Sequence, residues 1–395
     1  MDNFSHALIG VLLGRAAAPY VGTARGAIFA AILASNLPDI DFAWMPLFQD
    51  PKLAYLVHHR GHTHTLLVGL VEALAVAFAC RRWWPEAKLF PLFLLSYLGV
   101  ALHVGADGWN NYGVHPLWPV DPGWRYGDSI FIIEPWLWLS LGPLAFWEAG
   151  RGLRAVLGLI GAAVVGLITW GLGPSWALVW VLGLALLLGL QSRLTGVWVW
   201  RVPLLLWGVI LSVFALGSQA ARREVEGSFD AQLPSESLID VVRVPRPSSP
   251  WCWSVIAVSV GPGGSYHLRP GLVSLHPEWT AAGDCGIRDD WERSLRLGPP
   301  DLSDSERLRW EGHWTRPTAE LQRLARDCRV DAFLHFGRAV WWEEEGSLVH
   351  VGDLRYDFEP EEGFAELSFR MDQPAACMDL PPWRSAAAEQ LLRRK

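Results

Sequence analysis

Six near-continuous apolar runs lie within the first 221 residues, at 66–80, 89–106, 130–149, 153–172, 176–190 and 202–221, and none follows them. Such runs approach the ~20 residues that cross a ~30 Å hydrocarbon core as a helix. A backbone in hydrocarbon must satisfy its own hydrogen bonds, which restricts runs like these to helices. Charge follows the same division: residues 1–221 hold 23 Lys, Arg, Asp and Glu, whereas residues 222–395 hold 50. One uniform soluble globule is thereby excluded. The expected architecture is an α-helical polytopic membrane domain over residues 1–221, followed by a soluble α+β domain over residues 222–395. The net charge of −7 argues against a nucleic-acid partner.

Tryptophans cluster at the ends of the apolar runs, at Trp83 and Trp84, Trp118 and Trp124, Trp136 and Trp138, and Trp198 and Trp200. That is the pattern of aromatic belts at the two membrane interfaces. Two weaker runs come first, at 8–21 and 27–37. Arg15 interrupts the first and the second is short, so they read either as short tilted helices or as a re-entrant hairpin. The N-terminus lacks a positive region and a small-residue cleavage pattern, and no cleavable signal peptide is expected.

Orientation follows from the basic residues. Arg15, Arg25, Arg81, Arg82, Lys88, Arg151, Arg154, Arg193 and Arg201 fall on one side of the alternating loops; Lys52, Arg60, Arg125, Arg222 and Arg223 fall on the other. The side with nine is expected to be cytoplasmic, against five outside. The chain then reads as a multi-pass protein of the cell inner membrane with residues 222–395 in the periplasm. Cys252, Cys285, Cys328 and Cys377 lie in that half, where disulfides are permitted in any of three pairings. Within it, residues 251–260 and 332–342 read as strands, and residues 305–310, 318–329 and 385–395 as helices.

The chemistry is concentrated near the start. His6 opens the first run. Asp39 and Asp41 follow the second. A His-rich stretch, His58-His59-Arg60-Gly61-His62-Thr63-His64, precedes the run at 66, and His103 and Asp107 end the next one. A spacing of i, i+4 places His103 and Asp107 on one helix face. By the odd–even count of spans, all of these residues reach the outer face. Membrane-edge ionisable groups are expensive to bury and are usually functional. His and Asp together suit Zn²⁺ or another divalent transition metal. The expected ligands are His6, Asp39, Asp41, His59, His64, His103 and Asp107, around one or two ions. Arg60 is expected to contact an anion and stabilise developing charge. Glu134, just inside a run, is a candidate general base, ligand or substrate contact. Asn111 and Asp128 are candidates for orienting the ligands.

The residues His6, Pro38-Asp39-Ile40-Asp41, His59-Arg60-Gly61-His62-Thr63-His64 and His103-x-x-x-Asp107, with Asn111 and Gly113, resemble the predicted membrane-bound metal-dependent hydrolases of the YbcI/YdjM type. The likeness is strongest over residues 1–135. It extends more loosely to Phe336-Gly337-Arg338 and to residues 351–356, which are similar to the soluble tail of one branch. The chain departs from the simplest pattern in its additional His58 and His62 and in Glu134. The His/Asp pattern also has a distant likeness to zinc-dependent phospholipase C. The resemblance implies a membrane-embedded metal-dependent hydrolase. Its expected substrate is a membrane lipid or a lipid-linked (phospho)ester, attacked by a metal-bound hydroxide. The alternative is a non-catalytic membrane metal sensor or envelope scaffold.

Overall fold

The computed structural model describes residues 1–172, 174–286, 297–357, 363–373 and 377–392. It has a helical N-terminal region and a C-terminal α+β region with antiparallel sheets. Two compact units emerge. One comprises Met1–Pro38, Leu66–Ala106 and Ile132–Val213; the other comprises Asp39–Thr65, Asp107–Phe131 and Phe214–Lys395.

The first unit opens with α1 (Asn3–Val21) and α2 (Ala24–Ala34). Asp2 caps α1 by accepting from the Ser5 amide, and Gly22 ends it in the left-handed region at φ 94°. A Cβ on Gly10 would come within 2.6 Å of the Ile32 Cα, and one on Gly14 within 2.4 Å of the Ile28 Cα. Only glycine permits that approach, so the two weak runs form a tightly packed helical hairpin. Helices α4 (Leu66–Trp83) and α5 (Leu89–Asp107) come next. They are followed by α6 (Pro135–Glu148), α7 (Arg151–Leu172), α8 (Pro174–Gln191) and α9 (Trp198–Gln232).

Among the described residues, four helices are long and apolar enough to cross a membrane, or up to six if each of two bent pairs counts as one span. Two runs differ from expectation. The run at 130–149 yields only a 14-residue helix, because Glu134 caps it and Pro135 starts it. The run at 202–221 belongs to a 35-residue helix that continues through Arg222 and Arg223. The Arg222–Glu226 ion pair at 2.6 Å, at i, i+4 spacing, supports that continuation.

In the second unit, α3 (Pro51–His58) is the helix that leads into the His-rich stretch. Strands β1 (Ser237–Arg246), β2 (Ser249–Val260), β3 (Ser265–Ser274), β4 (Leu308–Trp310) and β5 (Trp314–Pro317) form a five-stranded sheet. Helices α10 (Thr318–Leu324) and α11 (Cys328–Phe336) follow. Strands β6 (Val340–Glu345), β7 (Leu348–Asp353) and β8 (Glu366–Arg370) make a second sheet, and α12 (Ala386–Leu392) comes last.

The strand expected at 251–260 is present. The helix expected at 305–310 is instead extended at β4, and the run at 332–342 divides into the end of α11 and the start of β6. Residues 318–329 split at Ala325 into two short helices, the second capped by Asp327. The terminal helix is present over Ala386–Leu392, and residues 393–395 lie outside the described residues. The cysteines pair as Cys252–Cys285 and Cys328–Cys377.

One hydrophobic core runs through this unit. It joins Leu53, Leu56 and Val57 of α3 to Phe333, Phe336, Trp341, Trp342 and Trp383, all at most 3% exposed. Burial of such side chains contributes about 1.5–3 kcal/mol each. The segment that carries the histidines is therefore anchored by the core of the C-terminal half.

A polar clamp does the same for the loop after α5. Arg338 donates to both carboxylate oxygens of Asp128 at 2.7 and 2.8 Å, and to Asp240 at 2.5 and 3.0 Å. Arg355 donates to the Asn111 carbonyl at 2.7 Å, and Tyr356 to the Asn111 side chain at 3.3 Å. These partners occupy Asn111 and Asp128, the two residues expected from sequence to orient ligands.

Candidate metal centre

Three short pieces of backbone build the centre. A run of 3₁₀ turns over Leu37–Leu47 supplies Asp39 and Asp41. The turn after α3 supplies residues 59–64. The end of α5 supplies Asp107 and, one helical turn earlier, His103. Among the described residues, Asp39, His64, His103 and Asp107 each offer a ligand atom, all within 4.8 Å of one another. His64, His103 and Asp107 are buried.

The donor chemistry fits a divalent cation. His64 Nε2 lies 3.4 Å from Asp39 Oδ1 and 3.3 Å from Asp107 Oδ2. The two carboxylates on this buried ring nitrogen face a single guanidinium, that of Arg60 on Asp107, which leaves net negative charge that low dielectric penalises unless a cation joins them. The His103 ring is already oriented: its Nδ1 lies 2.8 Å from the Ser35 carbonyl oxygen. That acceptor places the proton on Nδ1 and makes Nε2 the acceptor nitrogen of the ring, the usual arrangement behind a metal-ligating imidazole.

The other expected ligands have partners of their own. His59 Nδ1 is 2.9 Å from Asp41 Oδ1. The second Asp41 oxygen accepts from the Arg60 amide at 3.0 Å and from the Thr63 hydroxyl at 3.3 Å. Asp41 thus holds the 59–63 turn in shape. Arg60 sits at φ 59°, a left-handed conformation uncommon for a side chain of this size, and the Asp41 contact helps to fix it. His6 stacks on His103, with ring centroids 3.8 Å apart. Glu134 caps α6, accepting from the Trp136 amide at 3.2 Å.

The Arg60 guanidinium is 3% exposed. It donates to Asp107 Oδ1 at 3.0 Å, to the Asp107 carbonyl at 3.1 Å and to Asn110 Oδ1 at 3.0 Å. It also lies over the Tyr112 ring, 4.6 Å from the centroid. Asn110 is the contributor that sequence reasoning missed; the same oxygen accepts from the Tyr112 amide at 2.9 Å. The sequence marks it only as one of two adjacent asparagines before Tyr112. His115, by contrast, stacks on Trp383 at 3.8 Å, and burial lowers its pKa to about 3. A small cavity of about 90 Å³, lined by Asp41, Trp44, Phe48, His58, His62 and Thr63, reaches Asp41.

These residues lie within a stretch that a family model matches. The YdjM inner membrane protein family model matches residues 1–174. The chain is 31% identical over 157 residues to YfhP of Bacillus subtilis (strain 168), covering 38% of this chain and 47% of that protein. It is 27% identical over 155 residues to the inner membrane protein YbcI of Escherichia coli (strain K12), covering 36% of this chain and 83% of that protein. The chain thus spans about half the length of YfhP. No solved structure matches. The stretch matched by the YdjM inner membrane protein family model, residues 1–174, contains the four clustered donors.

Proposed function

We propose that this protein is a metal-dependent hydrolase of the inner membrane that cleaves a lipid or lipid-linked ester on the side away from the cytoplasm. The observation that carries this reading is the buried Asp39, His64, His103 and Asp107 donor set, with a guanidinium on one of its carboxylates. A second observation concerns depth. Along the segment that delivers Asp39 and Asp41, Ile40 is 50% exposed, Phe42 46% and Leu47 84%, whereas Asp41 is 1% exposed. Carboxylates turned inward and apolar side chains turned outward suit the boundary between headgroups and acyl chains. That is the depth at which an amphiphile's ester lies.

A divalent cation bound there would lower the pKa of a water and polarise the ester oxygen. The remaining tasks belong to the chain's own side chains. Asp39, His64, His103 and Asp107 would hold the cation. Arg60 fixes the Asp107 carboxylate and adds positive charge beside it. His59, held by Asp41 through Nδ1, presents Nε2 for a proton destined for the leaving oxygen. The test uses the full chain, Zn²⁺-loaded and reconstituted in vesicles, against phosphodiester, phosphomonoester and carboxylester lipids. Turnover of one class at least tenfold above Asp107→Ala is expected. Turnover of none above that variant would leave a non-catalytic metal sensor or scaffold.

The two disulfides and the basic asymmetry support an extracytoplasmic C-terminal half. An alkaline-phosphatase fusion at Lys395 is expected to be active and a fluorescent-protein fusion dark. The opposite pair of results would reverse the orientation.

A further inference from the structure

The first unit contains an apolar cavity of about 410 Å³. It is an open groove rather than an enclosed void, and its volume is in the range of small-molecule sites. One end is lined by Phe4, Trp138 and Trp180, the other by Phe146, Leu157 and Leu188. From Trp138 to Phe146 along α6 the groove runs about 12 Å, at about 1.5 Å per residue. Gly142 and Gly158 are part of its lining, and a Cβ on either would meet no atom within 4 Å.

The mouth lies beside one member of the candidate metal centre. Phe4 packs edge-on against Trp138 at 5.3 Å, and the Trp138 indole donates to the Ser5 hydroxyl at 2.9 Å. The next residue, His6, stacks on His103, one of the four donors. The groove therefore starts two residues from an imidazole pair and leads away from it among apolar helices.

Its apolar lining and its length select the occupant. A single hydrocarbon chain fits, and about 12 Å covers most of one leaflet of a ~30 Å core. We propose that this groove seats one acyl chain of a membrane lipid and thereby brings that lipid's ester to the His6–His103 end; the second half of this statement rests on the hydrolytic reading.

The test is photolabelling of the full-length protein in vesicles of phosphatidylethanolamine and phosphatidylglycerol. The probe is a phospholipid with a diazirine at mid-chain, and adducts are mapped by mass spectrometry. Adducts are expected to concentrate on Leu157, Ile160 and Leu184. They should fall at least tenfold in Gly158→Leu and again in Gly142→Leu, since either side chain would grow into the groove. Gly208→Leu on α9, which also meets open space, should leave them unchanged. Adducts spread evenly along α7 and α8 and insensitive to both groove variants would overturn the proposal. So would crosslinks to a second copy at these positions. Groove labelling that both variants abolish, in a protein that turns over no lipid, would support the acyl seat and overturn hydrolysis. Turnover that both variants leave intact, with even labelling, would do the reverse.

Discussion

His103→Ala is expected to strip the protein of bound metal, and Asp107→Ala to do the same. Losing a hydrogen bond behind a ligand typically weakens metal affinity 10–100-fold, and losing the ligand itself should exceed that. His59→Ala provides the internal scale. His59 contacts Asp41, which shapes the 59–63 turn, rather than joining the four-donor group, so its loss should weaken binding by no more than the roughly 10–100-fold of a lost supporting bond and should not abolish it. His115→Ala should retain full metal, because that ring stacks on Trp383 away from the donors. Elemental analysis of the purified variants checks all four. Full metal in His103→Ala together with loss in His115→Ala would place the centre elsewhere.

The second large effect is on stability. Arg338→Met should destabilise the second unit by about 3–5 kcal/mol, the typical cost of leaving buried charge without its partner. The guanidinium is 4% exposed and serves Asp128, itself 1% exposed, and Asp240 together. Burial raises the Asp240 pKa, while the attraction and hydrogen bonds of Arg338 outweigh that and hold it below the ordinary carboxylate range. Without Arg338, Asp128 retains Arg243 at 3.4 Å, so the loss falls mainly on Asp240 and on the geometry of the 107–131 loop. Urea unfolding followed by tryptophan fluorescence measures the change. An unaltered midpoint would show that the clamp carries no net stability.

Much of this was legible in the sequence for a simple reason. A bilayer forces apolar residues to be contiguous, so α5 and α7 can be read directly as runs. Their ends were less visible: α6 starts at Pro135 because a cap and a proline decide there, and hydropathy does not register either. Strand β2 is rich in strand formers between turn signals, whereas residues 328–336 form a helix behind a single capping acid, Asp327. Read by composition alone, Ala332 to Phe336 is indistinguishable from a buried strand.

At the centre, residue type gave candidates but not tasks. Asp39 and Asp41 are two positions apart and chemically identical. Which one reaches the donor group and which one holds the 59–63 turn depends on the path of the 3₁₀ turns. The Arg60–Asn110 and Arg338–Asp128 contacts span 50 and 210 residues. No local spacing rule reaches that far.

The Arg338 clamp also bears on modularity. Asp128 and Asn111 belong to the loop after α5, yet their partners Arg243, Arg338, Arg355 and Tyr356 all come from beyond residue 221. YbcI, 83% of which is covered by a 155-residue match, has no room for a counterpart of residues 222–395. A version of this chain cut to that length would expose a buried aspartate in a left-handed backbone conformation, at φ 47°, with none of its arginines. The C-terminal half is therefore not a detachable accessory. Gaining or shedding it requires rewriting the loop beside the donor group in the same step, which couples the length of the chain to the sequence around its candidate metal centre.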